Sequence, residues 1–249
     1  MFDLVKRFGG LKPTGLSIHI AREVILGVRD LHARSIAHRD LKLEVLRLGP
    51  SFECVVSGLV HCLPSHAADG SRFLTELRTG TSAYAAPEAL AKEEHESSKT
   101  DMWSLGVLLF ILVVGRPPLR RAEPGDRHFE IFKTRARGDL DELWSRHLRA
   151  SRIPIDQNSV NFRDLIERLL RVDPARRPTI LEVMRHPWIC TTCPTKDICR
   201  RQLAKMHHAA VQQSEEQSVR CDPEMGIVIA VGGRGASGGG GDGGDGVDA

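Results

Sequence analysis

Apolar residues recur with a helical period along most of this chain, and only one short run reads as a strand. Between residues 14 and 33, Leu16, Ile18, Ile20, Ala21, Val24, Ile25, Val28 and Leu31 form an apolar stripe along one helix. Residues 99–115 are almost continuously apolar and end at Gly115-Arg116-Pro117-Pro118, which predicts a buried helix stopped by a turn. Further helical periods cover 129–136, 139–150, 162–171 and 179–185. Glu53-Cys54-Val55-Val56 predicts a short strand, and residues 59–84, with little period and several Ser, His and Gly, predict a long surface segment. Residues 232–249, rich in glycine and aspartate, cannot bury enough apolar surface to offset ordering entropy, so they predict a disordered tail. No apolar strand leads into that glycine run and no helix follows it, so it is not a phosphate-binding loop. The expected fold is mainly α.

Composition narrows the classes. A chain of 249 residues, 41% hydrophobic and 27% charged, is long enough for one large domain with a good core. A net charge of +3 with scattered basic residues gives no argument for nucleic acid or a membrane surface as partner. The longest apolar run, 105–114, is about half a membrane span. Met1 is followed by an acidic, amphipathic segment, so no secretory leader is read. The six cysteines are then expected to be reduced thiols of a cytoplasmic or nuclear protein, not a secreted one. Cys190-x-x-Cys193 with Cys199, His186, His207 and His208 has the residue types of a zinc site. Its spacing is irregular and no second Cys-x-x-Cys completes it, so unconnected thiols are expected and no metal.

The chemistry-bearing motif is His38-Arg39-Asp40-Leu41-Lys42-Leu43-Glu44. Downstream come Gly80-Thr81-Ser82-Ala83-Tyr84-Ala85-Ala86-Pro87-Glu88, Asp101-Met102-Trp103-Ser104-Leu105-Gly106, Val172-Asp173-Pro174-Ala175-Arg176-Arg177-Pro178-Thr179, and His186-Pro187-Trp188-Ile189. In that order these resemble the catalytic loop, the end of the activation segment, the start of the long buried helix and the two closing signatures of eukaryotic protein kinases. The pattern is of Ser/Thr type and nearest the calcium/calmodulin-dependent group. The resemblance covers about residues 1–190 and implies a kinase C-lobe, opened by the short helix near Met1. Residues 191–231 would form a helical or irregular extension and 232–249 the tail. The β-rich N-lobe, with its phosphate loop and strand lysine, would belong upstream, so the sequence as written is expected to be truncated.

The resemblance implies roles for eight residues. Asp40 would accept the substrate hydroxyl's proton, Lys42 would face the transferred phosphoryl group, and Thr81 would bridge the two and shape the peptide platform. His38 would pack into the apolar column beneath the loop. Arg39 would belong to the pocket for an activation-loop phosphate, although the usual acceptor position is Leu77; Ser71, Thr75 and Thr79 are neighbouring hydroxyls and Glu76 a fixed anion. Asp101 would accept backbone N–H groups from the catalytic loop, and Glu88 with Arg177 would form a buried ion pair.

Two family positions are not filled. Val45 stands where the loop's metal-binding Asn belongs, or that Asn is missing between Glu44 and Val45, and Val56-Ser57-Gly58 stands where Asp-Phe-Gly belongs. Magnesium takes oxygen donors, which valine lacks. The expected reading is therefore a kinase-derived protein that does not transfer phosphate in this form, takes no cofactor, and works by binding a protein partner. The alternative is a piece or mis-spliced product of an active Ser/Thr kinase, with ATP and magnesium as cofactors and a peptide substrate. Either way an exposed apolar patch is expected near Leu41, Leu46 and Val56.

Overall fold

The computed structural model describes residues 1–66, 69–77 and 80–220, excepting the side chains of 213–220. The expected tail at 232–249, residues 221–231 of the extension and Thr79 lie outside the described residues. The chain divides into two units, Met1–Val211 and Gln212–Ala249; the described part of the second is the end of a helix.

The first unit is a helical assembly built round one apolar helix. In chain order it contains α1 (Phe2–Phe8), α2 (Gly15–His32), β1 (Ile36–Ala37), β2 (Leu46–Leu48), β3 (Cys54–Val56), β4 (Leu63–Pro64), β5 (Leu74–Thr75), α3 (Pro87–Ala91), β6 (His95–Glu96), α4 (Ser97–Val114), α5 (Arg127–Thr134), α6 (Arg137–Ala150), α7 (Gln157–Leu169), α8 (Ile180–Met184) and α9 (Pro187–Cys190). The last helix, α10 (Lys196–Arg220), begins here and runs into the second unit. Among the described residues the strands make only antiparallel pairs: β1 with β4, β2 with β3, and β5 with β6. This is the mainly α, C-lobe-like architecture that the periodicity and the motifs imply.

α4 is long and apolar enough by composition to cross a bilayer, but 83% of it is buried inside the fold. α2, α7 and β1 pack against it. Phe110 of α4 packs on Trp144 of α6 at 5.4 Å, and Phe162 of α7 reaches Trp188 of α9 at 5.0 Å, so one aromatic chain links four helices. Dispersion and area burial of such rings are the main stabilising terms of this core. Short helices are held by their ends. Asp156 and Ser159 form a reciprocal capping box on α7, and Thr179 and Glu182 do so on α8.

The C-terminal end of α4 is fixed against the segment after α1 by two glycines. Leu11 N–H donates to Leu112 O at 2.9 Å and Lys12 N–H to Val113 O at 2.9 Å. A Cβ on Gly10 would lie 2.5 Å from Val113 O, and one on Gly115 would lie 2.3 Å from Gly9 O. Both glycines also have positive φ, so no other residue meets the contact and the backbone together.

One expectation is overturned. Leu41 and Leu46 are buried at 0% and 1% exposure, and Val56 is packed against the core. The exposed apolar residues nearby are instead Val55, Leu59 and Val60 at 46%, 53% and 89%. The cause is the strand period: successive side chains face opposite sides, so Cys54 and Val56 go in and Val55 goes out.

Candidate functional site

The loop between β1 and β2 is organised from below by Asp101. This carboxylate lies one turn into α4 with 0% exposure. Its Oδ2 accepts the His38 backbone N–H at 2.8 Å and is hydrogen-bonded to His32 Nε2 at 2.8 Å, while Oδ1 accepts the Arg39 N–H at 2.7 Å. A buried carboxylate is tolerable only when it is satisfied in this way, and charge-assisted bonds are stronger than neutral ones. Arg39 has a φ of 67°, so the bonds from Asp101 hold the chain in a conformation that L-residues rarely adopt. His38 is itself fully buried, with Nε2 hydrogen-bonded to Ser57 O at 2.8 Å. It ties the loop to the residue after β3.

Above that support, three side chains meet. Lys42 Nζ donates to Asp40 Oδ2 at 2.7 Å and to Thr81 Oγ1 at 2.8 Å, and the Thr81 backbone N–H donates to Asp40 Oδ1 at 3.0 Å. Thr81 is far along the chain, so the approach depends on Gly80. A Cβ there would lie 2.6 Å from Asp40 Oδ1 and 2.8 Å from Arg39 O, and its φ is +80°. The structure thus brings Asp40, Lys42 and Thr81 into one hydrogen-bonded cluster. Behind it, the Tyr84 hydroxyl donates to Glu44 Oε2 at 3.4 Å, and Ser104 Oγ of α4 holds Tyr84 O at 2.9 Å. Burial first, and then the Glu44 carboxylate, push the Tyr84 phenol up, so it stays a donor. Tyr84 and Ser104 stand within the quoted motifs, but their contacts, and His32 altogether, are revealed only by the tertiary fold.

Arg39 points along the activation segment. Its guanidinium donates to Leu77 O, the backbone carbonyl of the residue that stands at the usual phosphate-acceptor position. Leu77 N–H donates in turn to Thr75 Oγ1 at 3.0 Å. Thr75 is buried and Ser71 is engaged with Asp69 at 2.6 Å, so neither hydroxyl is presented to Arg39.

Glu88 and Arg177 form a bidentate pair with Nη1···Oε1 at 2.6 Å and Nη2···Oε2 at 2.8 Å. The remaining guanidinium hydrogens reach Arg171 O, Lys99 O and Val172 O at 2.7, 2.9 and 3.0 Å, and the group lies 5.2 Å from the Trp103 ring centroid. With every donor used, the pair meets the condition under which burying two charges is sustainable.

The metal side is different, and its register differs from the motif reading. Leu46 pairs with Val56 across the β2–β3 hairpin. Val56 then turns toward α2, where its Cγ2 would be 2.9 Å from a Cβ at Gly27. The residue that faces position 45 is Gly58: a Cβ there would lie 2.8 Å from Val45 Cγ1. Ser57 between them is spent on Val45, its Oγ donating to Val45 O at 2.7 Å. The position opposite the loop is therefore glycine rather than valine, and position 45 and position 58 alike lack an oxygen donor. The nearest carboxylates are engaged elsewhere, Asp40 with Lys42 and Thr81 and Glu44 with Tyr84. The residues present do not fit a magnesium–nucleotide group.

The cysteine and histidine cluster of the C-terminal part does not converge. Cys193 Sγ accepts from Arg22 Nη1 at 2.8 Å, the Cys199 thiol is buried against Pro194 O, and His186 Nε2 is hydrogen-bonded to Asp164 at 2.8 Å. His207 and His208 lie edge-on to Phe52. Among the described residues no group of three or more His, Cys, Asp or Glu side chains is placed to hold a metal.

Comparison with known proteins agrees with this geometry. The protein kinase domain family profile matches residues 1–189. The chain is 33% identical over 182 residues to a calcium and calcium/calmodulin-dependent serine/threonine-protein kinase of Oryza sativa subsp. japonica, covering 72% of this chain and 32% of that protein. It is 32% identical over 205 residues to serine/threonine-protein kinase H1 of Mus musculus, covering 81% and 44%. It is 33% identical over 194 residues to testis-specific serine/threonine-protein kinase 3 of Homo sapiens, covering 77% and 65%. The chain thus spans between about a third and two thirds of the length of these relatives. With the Asp101-supported loop, the Glu88–Arg177 pair and a domain match over three quarters of its length, this chain belongs to the eukaryotic protein kinase family, among relatives of Ser/Thr type.

Proposed function

We propose that this chain is a Ser/Thr-type kinase C-lobe that does not transfer phosphate in this form and acts by binding protein in phospho-signalling, in the cytoplasm or nucleus. One observation supports the reading: Val45 and Val56, at the two expected magnesium-ligand positions, and Gly58, which lies against Val45, all lack an oxygen donor. Phosphoryl transfer is mostly positioning and charge neutralisation, and metal ions on the β- and γ-phosphates supply the larger part of that. Asp40 can accept a proton and Lys42 can face the transferred group, but no oxygen ligand here holds the metal ions that neutralise the β- and γ-phosphates. The chain is accordingly read as taking no cofactor.

A second reading has its own support. The Asp40–Lys42–Thr81 cluster is complete, and peptide-side geometry of that quality suits a chain that is part of a longer, active Ser/Thr kinase using ATP and magnesium on a peptide substrate. The two readings separate on one experiment. Thermal melts of the chain with ATP and magnesium, beside radiolabelled phosphate transfer to a mixed Ser/Thr peptide library, should show no shift and no incorporation. Incorporation that disappears in Asp40→Ala would overturn the binding-only reading.

In this reading position 77 takes no phosphate. Arg39 already holds the Leu77 carbonyl, and Leu77 carries no hydroxyl that could be modified. Binding is then constitutive with respect to phosphorylation at that position.

A further inference from the structure

We infer that the corner where the α1–α2, α4–α5 and α6–α7 connections meet is a docking surface for an acidic segment of a partner protein. This gives the binding role proposed above a partner chemistry. It takes no part in phosphate transfer, so either reading can fail without the other.

Basic residues scattered along the sequence are gathered here by the fold. Lys12 N–H donates to Val113 O at 2.9 Å, Ser151 Oγ to Val114 O at 2.8 Å, and Arg116 Nη2 to Ala150 O at 3.4 Å, so the three connections are bonded to one another. They carry Lys12, Arg116, Arg149 and Arg152, all four exposed. No carboxylate stands at residues 4–22, 102–122 or 143–155. Lys6, exposed near the end of α1, has the same sign.

Part of this charge has a structural use. α4 and α6 both end at this corner; Arg116 lies on Ala150 O, a last carbonyl of α6, and Arg149 Nε donates to Ser145 O at 3.2 Å. Two helix ends offset about one positive charge. Asp156, which caps α7, adds one negative charge, and Asn158 ties that helix to the corner by donating to Pro13 O at 2.8 Å. Lys196 and Asp197 at the start of α10, beside the Pro194 that packs on Gly15, cancel each other. Farther out, Glu142 pairs with Arg146 and Glu123 with Arg121, and Asp126 accepts the backbone N–H groups of Arg120, Arg121 and Phe129. An excess of about two positive charges remains. Lys12 and Arg152 carry it, since among the described residues neither side chain has a hydrogen bond or an ion pair. The field reaches the interior: after burial and His128, Arg116 and Arg146 help to hold the His147 pKa down to about 4.

The shape of the charge selects the occupant. Three of the four cations are guanidinium groups, whose planar fork takes a carboxylate by two parallel bonds. Four cations are fewer than the roughly six to ten phosphate contacts that a duplex-binding surface makes. They suit a short segment with several Glu or Asp, and they repel a basic one.

Fluorescence anisotropy on the full chain at low salt tests this with a labelled polyglutamate peptide. The expected result is saturable binding, weakened roughly tenfold in Lys12→Glu/Arg152→Glu and unchanged in Lys92→Glu/Arg137→Glu. The second variant changes the net charge equally, at exposed cations after α3 and at the far end of α6. Lys12 and Arg152 have no side-chain bond to lose, and equal melting temperatures verify that the fold is intact. A polylysine peptide should not bind. Equal weakening by both reversals would overturn the corner and leave general attraction to a basic chain. If phosphatidylserine vesicles or duplex DNA bind through Lys12 and Arg152 while polyglutamate does not, a protein segment is overturned as the occupant.

Discussion

The two halves of the loop that follows β1 have fared differently. On the peptide side, Lys42 and Thr81 hold Asp40 by bonds of 2.7 and 3.0 Å, Asp101 holds the backbone of Arg39 before it at 2.7 Å, and the Glu88–Arg177 pair braces the platform behind them. On the metal side, a few residues away, Val45 and Gly58 meet in an apolar contact. The contrast separates what folding requires from what phosphate transfer requires. Loss of Glu88 or Arg177 leaves an orphaned charge in the core, and loss of Asp101 leaves backbone N–H donors unmet. Positions 45 and 58 carry no such structural penalty, since valine or glycine there strands nothing.

That account is most exposed at its strongest brace. Replacing either Glu88 or Arg177 by Ala leaves the other charge buried at under a tenth exposure, and should lower unfolding free energy by about 3–5 kcal/mol. Arg177→Lys should recover little, because one ammonium cannot serve two carboxylate oxygens and three backbone carbonyls. Urea denaturation followed by tryptophan fluorescence reads both, and Trp103 beneath the guanidinium makes it sensitive. A cost below about 1 kcal/mol, the level of a surface pair, would remove the reason for the contrast.

Acid probes the helical core apart from the loop. His147 of α6 is buried against Phe110 at 5.0 Å, and desolvation, helped by His128, Arg116 and Arg146, pulls its pKa from 6.5 down to about 4. The folded state therefore binds this proton less readily than the unfolded state. Stability is full above pH 6.5, falls as pH drops through that value, and stops falling near pH 4. At about 1.4 kcal/mol per pKa unit the loss is at most about 3 kcal/mol. His19, also lowered chiefly by burial, adds in the same direction. Melts of His147→Phe should show a shallower fall over that window, with the Asp40 loop unaffected.

Much of the fold was legible in advance because its helices announce themselves by apolar period. The expected spans at 14–33, 99–115 and 139–150 correspond to α2, α4 and α6 within two residues at each end. The metal-side register was less legible. Val56-Ser57-Gly58 matches a motif by its glycine alone, whereas pairing of Leu46 with Val56 sets which residue faces position 45, and pairing is not written in three letters. The exposed patch was misplaced for the same reason, since a strand's inner and outer residues are neighbours in sequence. His32 gave no signal, and Tyr84 and Ser104 stood in motifs without a role, because each acts through long-range bonds.

The metal side can be tested by rebuilding it. Gly58→Asp alone should cost about 1–2 kcal/mol, because its φ of +81° is left-handed and the new Cβ would sit 2.8 Å from Val45 Cγ1. In Val45→Asn/Gly58→Asp the branched methyl is gone, so the double change should cost less than the sum of the singles. Thermal melts should then show a magnesium-dependent shift that neither single variant nor the parent shows.

The smallest effect is the one that decides whether the peptide side is a working surface or only a brace. Thr81→Ala removes the hydroxyl that receives Lys42 Nζ at 2.8 Å but leaves the backbone N–H on Asp40. Thr81 is exposed, so water replaces the lost partner and the expected stability cost is below about 1 kcal/mol. Thr81→Ser should cost nothing, since the acceptor oxygen is kept. If the cluster serves only to pin the loop, hydrogen exchange of residues 38–46 will follow that small cost and be nearly unchanged in Ala. If Lys42 is held in place for a peptide, its release should lower peptide affinity in Ala and not in Ser, out of proportion to stability. A loss of affinity without a loss of protection would locate the surviving function on the peptide side, where the bonds are intact.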